Sequence, residues 1–235
     1  MLRALLMLTL ALAAGVSTAA DVGLMPVSVH LDALRPRATV QVMNNGAQPV
    51  VMQVDTVAWQ RENQQDSDAA TTDLVVNPPV FTLAPGRTQI VRVGLRRAAQ
   101  GEREGTYRMV LREVPGAADL QGLVSGQVRV LVAMRVPVYV APSRVVQQER
   151  WQVERDPAGR TVATVHNDGN VHLKVGRLSL HRGDTEPPLA EQTVASLLFP
   201  GESQRFVLPA ASQARRMEVV TNRGVQHVAL DDTRR

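Results

Sequence analysis

The residues of this chain best suited to metal ligation or proton transfer are its five histidines, His30, His166, His172, His181 and His227. None is paired with a carboxylate or a second histidine at metal-ligand spacing. His166 and His172 flank a turn, so a hairpin could bring them near each other, although histidines beside turns usually stand in solvent. No cysteine is present, which removes thiol catalysis and thiolate metal sites. The chain also lacks G-x-S-x-G, a glycine-rich phosphate loop and H-E-x-x-H. Asp231 and Asp232 share a polar tail with Arg234 and Arg235, a setting that frays more often than it catalyses. The expectation is no enzymatic activity, no cofactor and no metal.

The chemistry that remains is recognition. The net charge of +4 is carried almost wholly by arginine, Lys174 being the only lysine. Three Phe, two Tyr and two Trp are too few to stack successive bases, so nucleic acid is not an expected partner. Trp59 and Trp151 read as packing residues, one in each half of the chain. The start of the chain points to export. Arg3 precedes the short apolar run Ala4 to Ala14, and Ser17-Thr18-Ala19-Ala20 offers small residues for a cut after Ala20. Residues 1–20 therefore read as a signal peptide, the alternative being an N-terminal anchor. No later stretch is apolar enough to span a bilayer, so the mature chain is expected to be soluble. An exported chain without disulfides must rely on hydrophobic cores, and roughly 215 residues suffice for two domains of about 100 each.

The elements that would position a recognition surface are strands. Ala38 to Met43, Val50 to Val54, Thr56 to Trp59, Gln89 to Leu95, Tyr107 to Glu113 and Val128 to Val140 are rich in Val and bounded by Gly, Pro and Asn. A short helix fits only around Ala211 to Arg216. Two motifs recur in the same order at nearly the same offset. V-x-N-[ND]-G occurs at Val42 to Gly46 and Val165 to Gly169, and L-x-P-G-x-[ST]-Q at Leu83 to Gln89 and Leu198 to Gln204. Asn and Gly tolerate positive φ after a strand, and Pro-Gly fits a type II turn. The reading is all-β: two immunoglobulin-like sandwiches, residues 21–142 and 143–235, separated where Pro142 ends the long Val-rich strand. The alternative is one larger β fold with coincidental turns. Asp156-Pro157-Ala158-Gly159 reads as a hairpin turn in the second unit.

Val128 to Val140 is the most informative segment. Val128, Val130, Val132, Met134, Val136 and Val138 alternate and share one strand face, and thirteen residues is long for such a strand. The small-residue stretch Pro115 to Gly126 feeds it. That combination suits docking by strand addition, in which main-chain bonds bind and alternate side chains fill a partner's groove. The competing reading is an ordinary strand lining its own core.

Tyr107-Arg108-Met109-Val110-Leu111-Arg112-Glu113-Val114-Pro115 resembles the Y-x-x-x-L-R-E-[IV]-P signature of periplasmic usher-pathway (PapD-like) chaperones. Leu83-Ala84-Pro85-Gly86 with Ile90 to Val93, the Val128 to Val140 run, Asn167 to Val171 and Pro200-Gly201-Glu202 match further landmarks of that family, in order and over nearly the whole mature chain. The resemblance implies two Ig-like domains in a boomerang, holding an unfinished pilin-like subunit by donor-strand complementation until an outer-membrane usher takes it over. It implies a periplasmic location, a donor set of Val128, Val130 and Val132 extended by Met134, and self-association through the same edge as a way to shield it. A periplasmic or surface Ig-like binding module is the alternative. The best-known branch anchors the subunit carboxylate with an Arg and a Lys. Here Ser28 and Pro137 occupy those places, which points to the divergent archaic or alternative branch. Arg92, Arg108, Arg112 and Arg135 are the candidate anchors, Arg92 first and Arg108 second, although Arg92 could instead pair with Glu113. Ala141 and Asn222 stand where the family's other junction partners are expected.

Overall fold

The computed structural model describes residues 21–62, 65–98, 101–115, 130–183 and 186–230. The described residues form seventeen strands and no helix. Ten lie in the first sandwich: β1 (Val22–Met25), β2 (Val29–Leu31), β3 (Arg37–Asn44), β4 (Val50–Glu62), β5 (Gln65–Ala70), β6 (Leu74–Asn77), β7 (Val80–Leu83), β8 (Thr88–Leu95), β9 (Gly105–Val114) and β10 (Ala133–Val140). One sheet runs β1-β3-β8-β6; the other runs β2-β10-β9-β4-β5, with β7 also on β4. The second sandwich holds β11 (Glu149–Arg155), β12 (Arg160–Asn167), β13 (Leu173–His181), β14 (Ala190–Leu198), β15 (Ser203–Ala210), β16 (Arg216–Thr221) and β17 (Gly224–Ala229). Its sheets run β11-β12-β15 and β14-β13-β16-β17.

Alternation explains the layers. In β3 and β8, Val40, Val42, Val91 and Val93 point inward and meet Met52, Val54, Met109 and Leu111 from the facing sheet. A separate core gathers Val165, Leu173, Leu178, Leu180, Phe206, Leu208 and Met217 in the second sandwich. Two cores, each closed by two sheets, bear out the pair of Ig-like sandwiches. No described helix is long and apolar enough to cross a membrane.

The repeated motifs acquire a physical reason. Buried Asn44 donates its side-chain amide to the carbonyls of Gln48 and Leu83, at 2.7 and 3.0 Å, and accepts from Gly46 N–H. Asn167 does the same with Val171, Leu198 and Gly169. Gly86 and Gly201, at φ 68° and 87°, donate their N–H to the Asn44 and Asn167 carbonyls. In each sandwich the first motif is thus bonded directly to the second. Asp156 to Gly159 forms the expected hairpin, with Gly159 at φ 75° and Asp156 accepting from Ala158 and Arg160. Residues 211–214 make a single turn, closed from Ala214 N–H to Ala211 O, where a helix had been the alternative.

Candidate functional site

β10 pairs antiparallel with β9 along its whole length, Ala133 opposite Arg112 through Val140 opposite Gly105. On its other side β2 runs parallel, but only Val138 to Val140 are matched, by Val29 to Leu31. Among the described residues, Ala133 to Pro137 therefore present an unpaired backbone edge, with Pro137 lacking an N–H. The chain before the strand follows the same line. Glu113 N–H donates to Val132 O at 2.8 Å, and Val132 N–H to a Glu113 carboxylate oxygen at 3.2 Å.

Burial falls steadily along this segment. Val136 and Val138 are sealed in their own core, Met134 packs partly against it, Val132 is half-buried and Val130 is 58 % exposed. The described strand starts at Ala133, so it is shorter than the thirteen residues expected, with Val130 to Val132 leading into it. Val128 lies outside the described residues.

The outward face of this sheet is charged. Arg108 bonds Asp66 at 2.6 Å and Asp68 at 2.7 Å, and its guanidinium carbon lies 4.0 Å from the Trp59 ring centre. Arg61 bonds Asp66 at 2.6 Å, Glu202 at 3.2 Å and the Leu197 carbonyl at 2.7 Å. Burial works against ionisation of Asp66, but the bonds from Arg61 and Arg108 outweigh it and hold its pKa below the ordinary value. Arg112 pairs with Asp55 at 2.9 Å, both half-exposed. Arg135, on β10 itself and 57 % exposed, reaches Asp68 at 3.3 Å. The structure thus brings Arg108, Arg112 and Arg135 to one face. Arg92 stands elsewhere, exposed on β8 in the opposite sheet between the inward Val91 and Val93.

Where the two sandwiches meet, the Tyr139 ring stacks on His172 at 3.9 Å between centres, with His30 at 5.3 Å from Tyr139. Glu104 accepts from the His172 backbone N–H at 2.9 Å and lies 2.7 Å from its Nδ1, both side chains nearly fully buried. The Lys174 ammonium lies 5.3 Å from the Tyr139 ring centre. Burial first, then Glu104, pushes the Tyr139 phenol up to about 12. Burial, His172 and Lys174 lower the His30 pKa. His166 bonds Ser203 and Asp168 instead, so the two turn histidines are not brought together. No cluster of metal-ligating side chains occurs among the described residues.

Reading the sequence missed this junction. Glu104, Tyr139, His172 and Lys174 are single residues without a motif, and Trp59, expected to be a packing residue, packs edge-on against Phe199 of the other sandwich at 4.8 Å. Asp66 and Asp68 did carry a signal. They alternate in β5 opposite Arg61 and Trp59, a period-2 pattern of charge.

The pili and flagellar-assembly chaperone family, in its PapD N-terminal domain, matches residues 21–146. The chain belongs to this PapD-like chaperone family. Its members share the two-sandwich fold found here, and membership implies a non-enzymatic role. Solved structures agree in fold. One is a chaperone–tip adhesion subunit pre-assembly complex (CsuC-CsuE) from the archaic Csu pili of Acinetobacter baumannii. It matches at TM-score 0.59 and 13 % identity, over 89 % of this chain and 97 % of that one. The E. coli chaperone DraB matches at 0.59 and 16 % identity, over 91 % and 100 %. The Salmonella enterica SafA pilin in complex with the SafB chaperone matches at 0.60 and 17 % identity, over 89 % and 96 %. Comparison with curated proteins gives no match.

Proposed function

We propose that this family member works in the periplasm, lends the Val128 to Met134 segment and the adjoining β10 edge to an incomplete pilin-like subunit, and passes the subunit to an outer-membrane usher. One observation carries the reading: among the described residues the backbone of Ala133 to Pro137 is unpaired on one side, while the apolar face beside it outruns its own core, from buried Val136 to exposed Val130. Folded proteins normally cover such an edge, since it invites another chain to pair. Each valine that a partner's groove covers contributes roughly 1.5–3 kcal/mol before ordering costs. The same edge suits transient pairing with a second copy of this chain while no subunit is bound.

Arg135 is the proposed anchor for a subunit carboxylate. It lies on the donor strand, is the most exposed of the three arginines on this face, and reaches Asp68 at the longer distance of 3.3 Å. Arg108 is already engaged by two aspartates, and Arg92 is on the opposite sheet. A free guanidinium fork can bind both carboxylate oxygens. The test is co-purification from periplasmic extracts with the pilin-like subunits of the same secretion system. Val130→Asp should leave a folded protein that no longer retains a subunit, and Arg135→Gln should weaken retention at least tenfold. Retention unchanged in both variants overturns the reading in favour of an Ig-like binding module that uses another surface.

A further inference from the structure

The end of the second sandwich gathers three arginines from separate elements around one cavity of about 580 Å³. Arg155 closes β11, Arg182 follows β13 and Arg215 precedes β16, with Ser212 and Gln213 between them on the 211–214 turn. Among the described residues, the lining includes no Asp or Glu. Like charges repel when they converge, so such a grouping is stabilised by an anion that neutralises it.

The arrangement is also braced. Arg155 donates to the Ala211 and Ala214 carbonyls at 3.2 and 3.1 Å, neutral acceptors that fix its plane without cancelling its charge. Among the described residues two of its five N–H groups are engaged in this way, leaving others to be satisfied. Arg215 is clamped through its backbone, its N–H donating to His181 O and its carbonyl accepting from Leu230 N–H, while its side chain is exposed. Arg182 has Glu186 at 3.9 Å, with both side chains about half exposed, a pairing too loose to remove its charge.

We infer that Arg155, Arg182 and Arg215 form a binding site for a phosphate group. Three arginines lining one cavity offer planar guanidinium forks, which suit a tetrahedral oxyanion with several acceptor oxygens. The Ser212 hydroxyl and Gln213 amide, both exposed, supply neutral donors at the rim. The volume exceeds what a lone phosphate fills, leaving room for the organic group that carries it. This site shares no residue with β9 or β10, so it stands independently of the function proposed above.

The phosphate could belong to an anionic lipid headgroup or to a soluble molecule, and two arms separate these sources. Inorganic phosphate is titrated calorimetrically at low salt into the intact mature protein, and the protein is co-sedimented with phosphatidylglycerol or phosphatidylcholine vesicles. The variant pair Arg182→Gln with Arg215→Gln leaves Arg155 and its turn in place and should weaken phosphate binding at least tenfold. Its thermal midpoint verifies the fold. Arg177→Gln is the control for losing an arginine elsewhere on the same sandwich, since Arg177 lies on β13 between Glu191 and Glu218 and should change nothing. With phosphate binding present, arginine-dependent sedimentation with phosphatidylglycerol alone assigns a lipid headgroup, and its absence assigns a soluble phosphate. No heat of phosphate binding, binding that survives the double variant, or an equal loss in Arg177→Gln overturns the inference.

Discussion

Asn44 and Asn167 illustrate how much a single buried amide decides here. Each is almost fully buried and ties two carbonyls of separate segments. Truncation to alanine leaves those carbonyls without their donor, and an unsatisfied buried polar group costs about 1–3 kcal/mol. Asn44→Ala and Asn167→Ala should therefore each destabilise the protein by about 2 kcal/mol or more. Urea unfolding checks this, and Asn45→Ala, on the exposed side of the same turn, should cost under about 0.5 kcal/mol. The arginines follow a different logic at this scale. Arg108 has aromatic and ionic partners on the outward face of its sheet, whereas Arg92 has the same side chain on the far side of the sandwich. Chemistry alone does not distinguish them; their strands do.

β10 behaves as two elements in one strand. Its second half is ordinary core, with Val136 2 % exposed and Val138 fully enclosed. Its first half, and the residues leading into it, have a neighbour on one side. A carboxylate introduced at the two ends should then act differently. Val136→Asp buries a charge without a partner and should unfold the first sandwich, at a cost of about 4 kcal/mol or more. Val130→Asp should shift the thermal midpoint little, at under about 0.5 kcal/mol, because Val130 is 58 % exposed. Equal destabilisation by both substitutions would mean that the whole segment serves its own core, and the donor reading would fall. The β4–β5 hairpin is the second element with two roles. It extends the sheet and carries Trp59 and Arg61 to the other sandwich.

The two sandwiches are joined through contacts that are largely buried. Arg61 stacks over Phe199 at 4.6 Å while bonding Glu202 and Leu197 O, and Glu104 holds His172. Arg61→Met removes the ionic and carbonyl bonds yet keeps apolar bulk, so calorimetry should resolve two unfolding transitions where the native protein shows closer coupling. The junction should also be sensitive to acid. Burial and the charges of His172 and Lys174 lower the His30 pKa from 6.5, while Glu104 opposes them. The unfolded chain thus takes up this proton first as pH falls. Stability is complete above about pH 6.5 and declines as pH drops toward the folded pKa. His30→Phe keeps a ring beside Tyr139 and should flatten the stability profile below about pH 6.5. Asp66, whose pKa is lowered from 3.8, adds a second loss at more acid pH, as its carboxylate is protonated and its bonds to Arg61 and Arg108 weaken.

Strand periodicity, the two repeated turn motifs and the L-R-E-V-P element were enough to read a pair of Ig-like sandwiches and the family, because alternation and turn chemistry are local properties of the chain. The alternating valines before Met134 were legible for the same reason. Which of them would lie beyond their own core was not, since that depends on where β2 leaves β10 and where the facing sheet ends. The Tyr139–His172 stack, the Arg61 clasp and the three arginines around the distal cavity unite residues far apart in sequence. Only the packing of the strands brings such groups within hydrogen-bonding or stacking distance, so tertiary structure alone decided them.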